Sequence, residues 1–424
     1  MKSSAIWTSK LGWWAAQAAP ALVLIFVCGA ALQAPAQRLV PLHHFKGAPD
    51  GSEPSRYQSL TIDKAGNLYG TTFYGGGHPE CYPLGCGVVF MIDTAGIETV
   101  LHSFSGPDGQ FPDGGVILDE RGNLYGSTLD SVFKLAKGKA IVLHRFRFTQ
   151  KDGGRNGYFP MGNLLRDSAG NLYGATKDGG DMSCVIQRQV DGCGTIFKLT
   201  KDRKFTVLHR FHDSDGAFPQ GSLISDPQGN IYGTTRGGDK TQGTVFKLNS
   251  MGTFSILHHF THPADGADPN APLLLDSAGN LYGSTQGGGT YGSGTVFRID
   301  PAGNETILHN FNGGTDGLVP VGGLVADAVG NFYGTTRYGG DPNCKNAGAD
   351  GCGTIFKLDG NGVESVLYAF RSSGRAFPTS GLAMDASGTL YGILSTNHGV
   401  IYKFTPQHHA KLPQSAIIGQ WIGQ

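Results

Sequence analysis

Helical periodicity is what this 424-residue sequence most plainly lacks. Across residues 39–404 no stretch keeps a 3.6-residue apolar stripe, which excludes a helical bundle or helical solenoid. Excess charge is missing too: 33 basic residues stand against 33 acidic ones with no basic run, so no nucleic-acid partner is expected. Long hydrophobic runs are confined to Ala21–Leu32, which at 12 residues falls short of the ~20 a spanning helix needs. Catalytic signatures are absent as well. There is no Gly-x-Ser-x-Gly elbow, no His-Glu-x-x-His and no phosphate-cradling loop.

The short apolar run has a clear use. Lys2 and Lys10 precede it, and Ala34-Pro35-Ala36 follows as a small-x-small cleavage site before Gln37. This is the pattern of a secretory signal over residues 1–36, with an uncleaved anchor as the alternative. Cys28 does not mark a lipoprotein, because bulky Phe26 and Val27 stand where small residues are expected. Removing the signal leaves 31 basic and 33 acidic residues, a net of −2, and no further hydrophobic segment before the polar tail 405–424. The expectation is a secreted or periplasmic protein, monomeric, with no membrane span in its mature chain.

What the sequence has is repetition. Asp-x-x-Gly-Asn-Leu-Tyr-Gly, with small variations, occurs seven times, placing Tyr69, Tyr125, Tyr173, Tyr232, Tyr282, Tyr333 and Tyr391 between 48 and 59 residues apart. A period of this size marks a solenoid, propeller or array. Each unit holds four short β-branched and aromatic runs bounded by Gly, Asp and Asn, which read as strands. In the sixth unit these are Gly322–Ala326, Asn331–Thr336, Gly353–Leu358 and Ser365–Phe370. Four strands per repeat is the propeller pattern, and 67 glycines suit some 28 strands joined mostly by tight turns.

The ends fix the blade number. The seventh repeat stops after Val400–Phe404, without the Leu-His-x-Phe strand that closes the others. That strand stands at the opposite end, as Leu42-His43-His44-Phe45. An N-terminal strand completing the last blade removes two exposed edges. The fold expected is an all-β, seven-bladed β-propeller over residues 37–404, closed by its N-terminal strand.

Six cysteines remain after the signal, and they fall in pairs within single loops: Cys81 and Cys86, Cys184 and Cys193, Cys344 and Cys352. Each loop joins the second and third strands, in blades 1, 3 and 6. Local pairs at equivalent positions in an exported chain predict three disulfides. Zinc would need four ligands gathered at one point, which three separated pairs do not supply.

Repetition also sorts scaffold from function, since a residue present in nearly every blade is needed to build a blade. The histidines of Leu-His-x-Phe (His43, His102, His144, His209, His258 and His309, with Tyr368 in blade 6) are structural by this test. They sit on outermost strands ~10 Å apart, too far to share a metal. The aspartates of Asp-x-x-Gly are turn formers. The linkers between blades carry Asp-Gly-x-x-Pro at Asp50, Asp108, Asp215, Asp265 and Asp316, with a looser copy at Asp152. These carboxylates are candidates to approach the channel mouth and to bind calcium, a hard cation that takes oxygen ligands; otherwise no cofactor or metal site is expected. The plainer alternative is a turn ended by proline. The innermost strands begin with small or apolar residues, much alike, so no catalytic residue is assigned.

Together, Asp-x-x-Gly-Asn-Leu-Tyr-Gly-Thr-Thr, Gly-Thr-Val-Phe-Lys-Leu and Val-Leu-His-x-Phe with Asp-Gly-x-x-Pro resemble the GloVer tandem repeats of exported, choice-of-anchor bacterial proteins, over residues 39–404. The resemblance implies a cell-envelope or extracellular protein, and this chain departs from it in lacking an obvious C-terminal sorting segment. Two functions are open: a binding module for a carbohydrate, peptide or protein, or a propeller hydrolase or lyase, possibly calcium-dependent. All long loops lie on one face, so ligand contact is expected there, at the Asp-Gly-x-x-Pro turns and at Tyr74, Tyr291 and Tyr338.

Overall fold

One aspartate organises the first turn of every repeat. Asp63 Oδ1 accepts from the Ala65 and Asn67 amides, while Oδ2 accepts from Asn67 Nδ2 at 2.8 Å and the Tyr69 hydroxyl at 3.0 Å. The tyrosine-to-aspartate bond recurs in all seven repeats, at 2.9–3.1 Å. Burial pushes the Asp63 carboxyl up, but the bonds from Asn67, Tyr69 and Ala65 outweigh it and hold the group below the ordinary range. The glycine after each tyrosine is there for space. A Cβ on it would lie 2.5–2.7 Å from the ring of Phe90, Phe133, Phe197, Phe246, Phe297, Phe356 or Tyr402, which lies flat across the bare backbone.

The computed structural model describes residues 38–406 except 56–58, 82, 148–153, 185–191, 239–240, 262, 347–348 and 372–376. The expected signal, the C-terminal tail and Asp152 lie outside the described residues. Seven antiparallel sheets follow one another in chain order, four strands deep. Blade 3 is representative, running outwards from Tyr158–Arg166 through Leu172–Asp178 and Thr195–Leu199 to Phe205–Arg210. A short 3-10 turn, Pro79–Cys81, is the only helical element among the described residues, so none is long and apolar enough to cross a membrane.

Blade 7 is completed from the far end of the chain. Arg38–His44 pairs with Val400–Thr405, with Leu39 opposite Phe404 and His44 opposite Val400. Seven apolar clusters fill the seven blade-to-blade interfaces. At the closing seam Phe45 meets Phe90 edge-on at 5.1 Å, among Leu60, Ile393 and Ile401. Near the axis the innermost strands meet almost backbone to backbone. A Cβ on Gly114 would sit 2.5 Å from the Gly162 carbonyl, and one on Gly221 2.9 Å from that of Ala271.

Two tests follow from this packing. Deleting Leu39–Phe45 exposes an edge on blade 7 and strips the seam of Phe45, so aggregation or a large fall in melting temperature is expected; an unchanged melt would refute closure. Tyr402 stands where the other six blades have phenylalanine, fully buried with its hydroxyl unpaired. Tyr402→Phe should therefore stabilise the fold by roughly 1–3 kcal/mol, the cost of a buried unpaired polar group, as read by denaturant unfolding.

Candidate functional site on the loop-bearing face

Two rings of residues meet where each linker enters the next blade. The first is polar. Each Asp-Gly-x-x-Pro carboxylate caps its own turn, as in Lys46 N to Asp50 at 3.0 Å, Ser105 N to Asp108 at 2.9 Å and His212 N to Asp215 at 2.7 Å. Asp265 and Asp316 do the same with the amides of Thr261 and Asn312. The carboxylates then turn outwards, away from the channel mouth, to the histidine of the outermost strand. His102 pairs with Asp108 at 2.7 Å and His209 with Asp215 at 3.0 Å. These carboxylates thus cap their turns and also fasten the linker to the preceding sheet.

Each of these histidines faces one position of the next blade, four residues before that blade's own Leu-His-x-Phe histidine or tyrosine. Where that position is aromatic, the rings stack: His144 on Phe205 at 4.0 Å and His209 on Phe254 at 3.7 Å. Burial pushes His144 down to about 4. In three blades the position is Glu98, Glu305 or Glu364 instead. Burial, aided by Asp50, Asp265 and Asp316 respectively, pushes these carboxyls up to about 7, 8 and 7. Two trios, His43–Asp50–Glu98 and His258–Asp265–Glu305, bring their ligand atoms within 4.8 Å of one another. Sequence reasoning treated the histidines alone and missed the glutamates, although Glu98, Glu305 and Glu364 share one register.

The second ring is made by the residue before each linker proline. Glu53, Phe111, Phe159, Phe218, Asp268 and Val319 all hold φ between 52° and 58°, a left-handed backbone that bulky side chains rarely adopt. Phe377 takes the equivalent place in blade 7. Their amides reach back to the previous blade's loop: Phe111 N to the Cys86 carbonyl at 2.7 Å, Phe218 N to Cys193 at 3.1 Å, Asp268 N to Gln242 at 2.8 Å and Val319 N to Ser293 at 3.0 Å. Glu53 N closes the circle to His398 at 2.9 Å. The side chains meet residues from the end of the neighbouring second strand. Phe73 stacks on Phe111 at 5.3 Å, Lys177 lies over Phe218 at 5.8 Å, Arg236 pairs with Asp268 at 3.8 Å, and Arg337 lies over Phe377 at 4.7 Å. The repeated Phe-Pro was visible in the sequence, but its strained backbone was not.

Of the expected aromatics, Tyr74 packs edge-on to Phe111 at 5.8 Å and Tyr338 lies 5.9 Å from Phe377, both joining this ring. Tyr291 stands apart at the tip of the blade 5 loop, 63% exposed. The three disulfides form as expected, Cys81–Cys86, Cys184–Cys193 and Cys344–Cys352, with Cα separations of 5.3, 5.7 and 5.7 Å. Cys86 and Cys193 also lend their carbonyls to the amides of Phe111 and Phe218. A cavity of about 370 Å³ opens between blades 5 and 6, bordered by Asp316, Glu364, Asp341 and Arg371, the last two paired at 3.1 Å.

The profile of the Gloeobacter/Verrucomicrobia repeat family matches residues 31–189 and 131–346. No curated protein matches the sequence. Among solved structures, the extracellular domain of a hybrid two-component system from B. thetaiotaomicron is similar at TM-score 0.53 and 12% identity, over 87% of this chain and 40% of that one. A second such domain from B. thetaiotaomicron is similar at TM-score 0.50 and 15% identity, over 85% of this chain and 41% of that one. This chain thus spans about two fifths of those proteins, and the likeness shows the fold. A gluconolactonase from Xanthomonas campestris, at TM-score 0.43 and 14% identity over 89% of this chain and 93% of that one, is too distant to carry an argument.

Glu305 gives the seams a pH dependence. Its folded-state pKa of about 8 lies above the ordinary 4.5, so between those values the folded chain holds a proton that the unfolded chain has lost. Its contribution to stability is complete below 4.5 and is lost as pH rises through 8. In chelator-treated protein, the melting temperature of Glu305→Gln should therefore gain on the wild type across that window. Parallel curves would refute a protonated buried carboxyl.

Proposed function

We propose that this chain, which belongs to the Gloeobacter/Verrucomicrobia repeat family, is a non-catalytic binding module of the bacterial cell exterior or periplasm. It holds a carbohydrate, peptide or protein partner on its loop-bearing face, and the chemistry of that face favours a carbohydrate. One observation carries this reading. The backbone before each linker proline is nearly constant, with φ of 52° to 58° in six blades, while the side chain on it changes among Glu, Phe, Asp and Val. Left-handed backbone at a non-glycine residue costs on the order of 1–3 kcal/mol and clusters at functional sites. A strained but uniform frame carrying varied, half-buried side chains is what a reading surface needs. The aromatic planes of Phe218 and Phe377 beside Lys177 and Arg337, with Arg236 at the Asp268 position, offer stacking and hydrogen-bond donors, as sugar rings require.

The Asp-Gly-x-x-Pro carboxylates fit this reading as supports that fix the ring. Tyr74 and Tyr338 contribute directly to the surface, and Tyr291 extends it. A hydrolase or lyase is the second reading. It would need unlike acid, base and nucleophile groups gathered at the axis, where the inner strands instead approach through Gly114, Gly162, Gly221 and Ala271.

A glycan screen of the purified protein, with and without calcium, separates the two readings. Saturable binding without turnover supports the first, and metal-dependent turnover the second. For a bound glycan, Phe111→Ala and Phe218→Ala should each weaken affinity about tenfold, the loss of about 1.4 kcal/mol of stacking. Trimming the second-to-third-strand loops of blades 1, 3 and 6 to the two-residue turn of blade 2, which lies between Thr128 and Ser131, should abolish binding while the melting temperature moves by only several degrees. Binding untouched by these changes would place the ligand elsewhere and overturn the proposal.

A further inference from the structure

The outer seams between blades hold a chemistry that the loop face does not use. At the blade 1–2 and 3–4 seams the histidine and linker aspartate form ordinary hydrogen bonds, at 2.7 and 3.0 Å. The facing residue there is Ala140 or Phe254. Where a glutamate faces the pair, the spacing opens. His43 Nε2 stands 3.3 and 3.4 Å from the two oxygens of Asp50, and His309 Nε2 3.4 Å from Asp316. His258 Nε2 lies 3.6 Å from Glu305 Oε2. Two ligands held ~2.1 Å from a tetrahedral ion sit roughly 3.4 Å apart, so these separations, longer than the histidine-to-aspartate hydrogen bonds of the other two seams, match the spacing of two ligands on one ion.

Several of these atoms are also closed to water. Glu98 Oε1, Glu305 Oε1 and His258 Nε2 are buried without a hydrogen-bond partner among the described residues, and the Glu305 side chain is 11% exposed. Buried, partnerless ligand atoms held this close together are costly unless something pairs with them.

We propose that the trios His258–Asp265–Glu305 and His43–Asp50–Glu98 are binding sites for a divalent transition ion such as zinc or manganese. One imidazole and two carboxylates suit such an ion, whereas calcium takes oxygen ligands alone. Each site draws its ligands from three places: the outermost strand of one blade, the linker, and the outermost strand of the next. A bound ion therefore staples two blades together. One of the two sites lies at the 7–1 seam, where the ring is closed. Blades 5 and 6 carry the same three residue types, His309, Asp316 and Glu364, in a looser arrangement.

Chelator-stripped full-length protein titrated calorimetrically with zinc or manganese chloride tests this. At least two equivalents should bind saturably and raise the melting temperature. Glu98→Gln and Glu305→Gln should each weaken one site tenfold or more. Glu305→Phe keeps the fold testable, because it reproduces the histidine-on-phenylalanine stack native to the blade 3–4 seam, and it should lose the same site. Ala140→Glu places a second carboxylate, and so a third ligand, beside His102 and Asp108 and should add one equivalent. Absence of saturable binding, binding indifferent to the Glu98→Gln/Glu305→Gln double variant, or uptake of calcium in preference to zinc and manganese would overturn the assignment.

Discussion

A blade of this protein cannot bury itself. Its strands are mostly five to seven residues long and apolar on both faces, so each sheet is covered only when a neighbour stands on either side. The seven clusters that fill the interfaces are the core of the molecule, and no other core is found among the described residues. Everything else follows from that dependence. The flat glycine under Phe90 and its counterparts lets sheets approach closely. The Tyr69-to-Asp63 bond and its six equivalents fix the turn that sets each sheet's register. The linker amides of Phe111, Phe218, Asp268, Val319 and Glu53 bind successive blades along the loop face.

Much of this was legible in the sequence because repetition writes structure in copies. Blade number, strand order and the displaced strand at Arg38–His44 all came from comparing the chain with itself, as did the three disulfides. Scaffold roles for the Asp-x-x-Gly aspartates and the Leu-His-x-Phe histidines were legible for the same reason. A residue that recurs seven times answers a need that recurs seven times.

The site was less legible, for two physical reasons. Backbone strain leaves no mark in residue type: Phe111 before Pro112 reads as extended chain, since residues before proline favour that region, yet its φ is 52°. Direction was the other obstacle. The Asp50 and Asp108 carboxylates lie on linkers that run inwards, but their side chains turn outwards to His43 and His102. The position occupied by Glu98, Phe254 or Ala140 looked like ordinary variation at the start of a strand. Only across a seam, with His43, His209 or His102 opposite, does its identity decide between a carboxylate trio, a stacked pair of rings and a plain hydrogen bond.

Closure by the first strand also orders events in time. A chain emerging from its N-terminus presents Arg38–His44 long before Val400–Thr405 exists to receive it. Blades 1 to 6 are each built from consecutive strands and can assemble as they appear, one on the next, with only local loops to close. The last pairing joins opposite ends of the propeller and must wait for the whole chain. Until then the array is an open arc with one unpartnered apolar face at each end, and the early strand is an edge in search of its match. The same strand that gives the finished ring its permanence makes the nascent chain vulnerable, and it ties the moment of maturity to the arrival of the final few residues of the seventh blade.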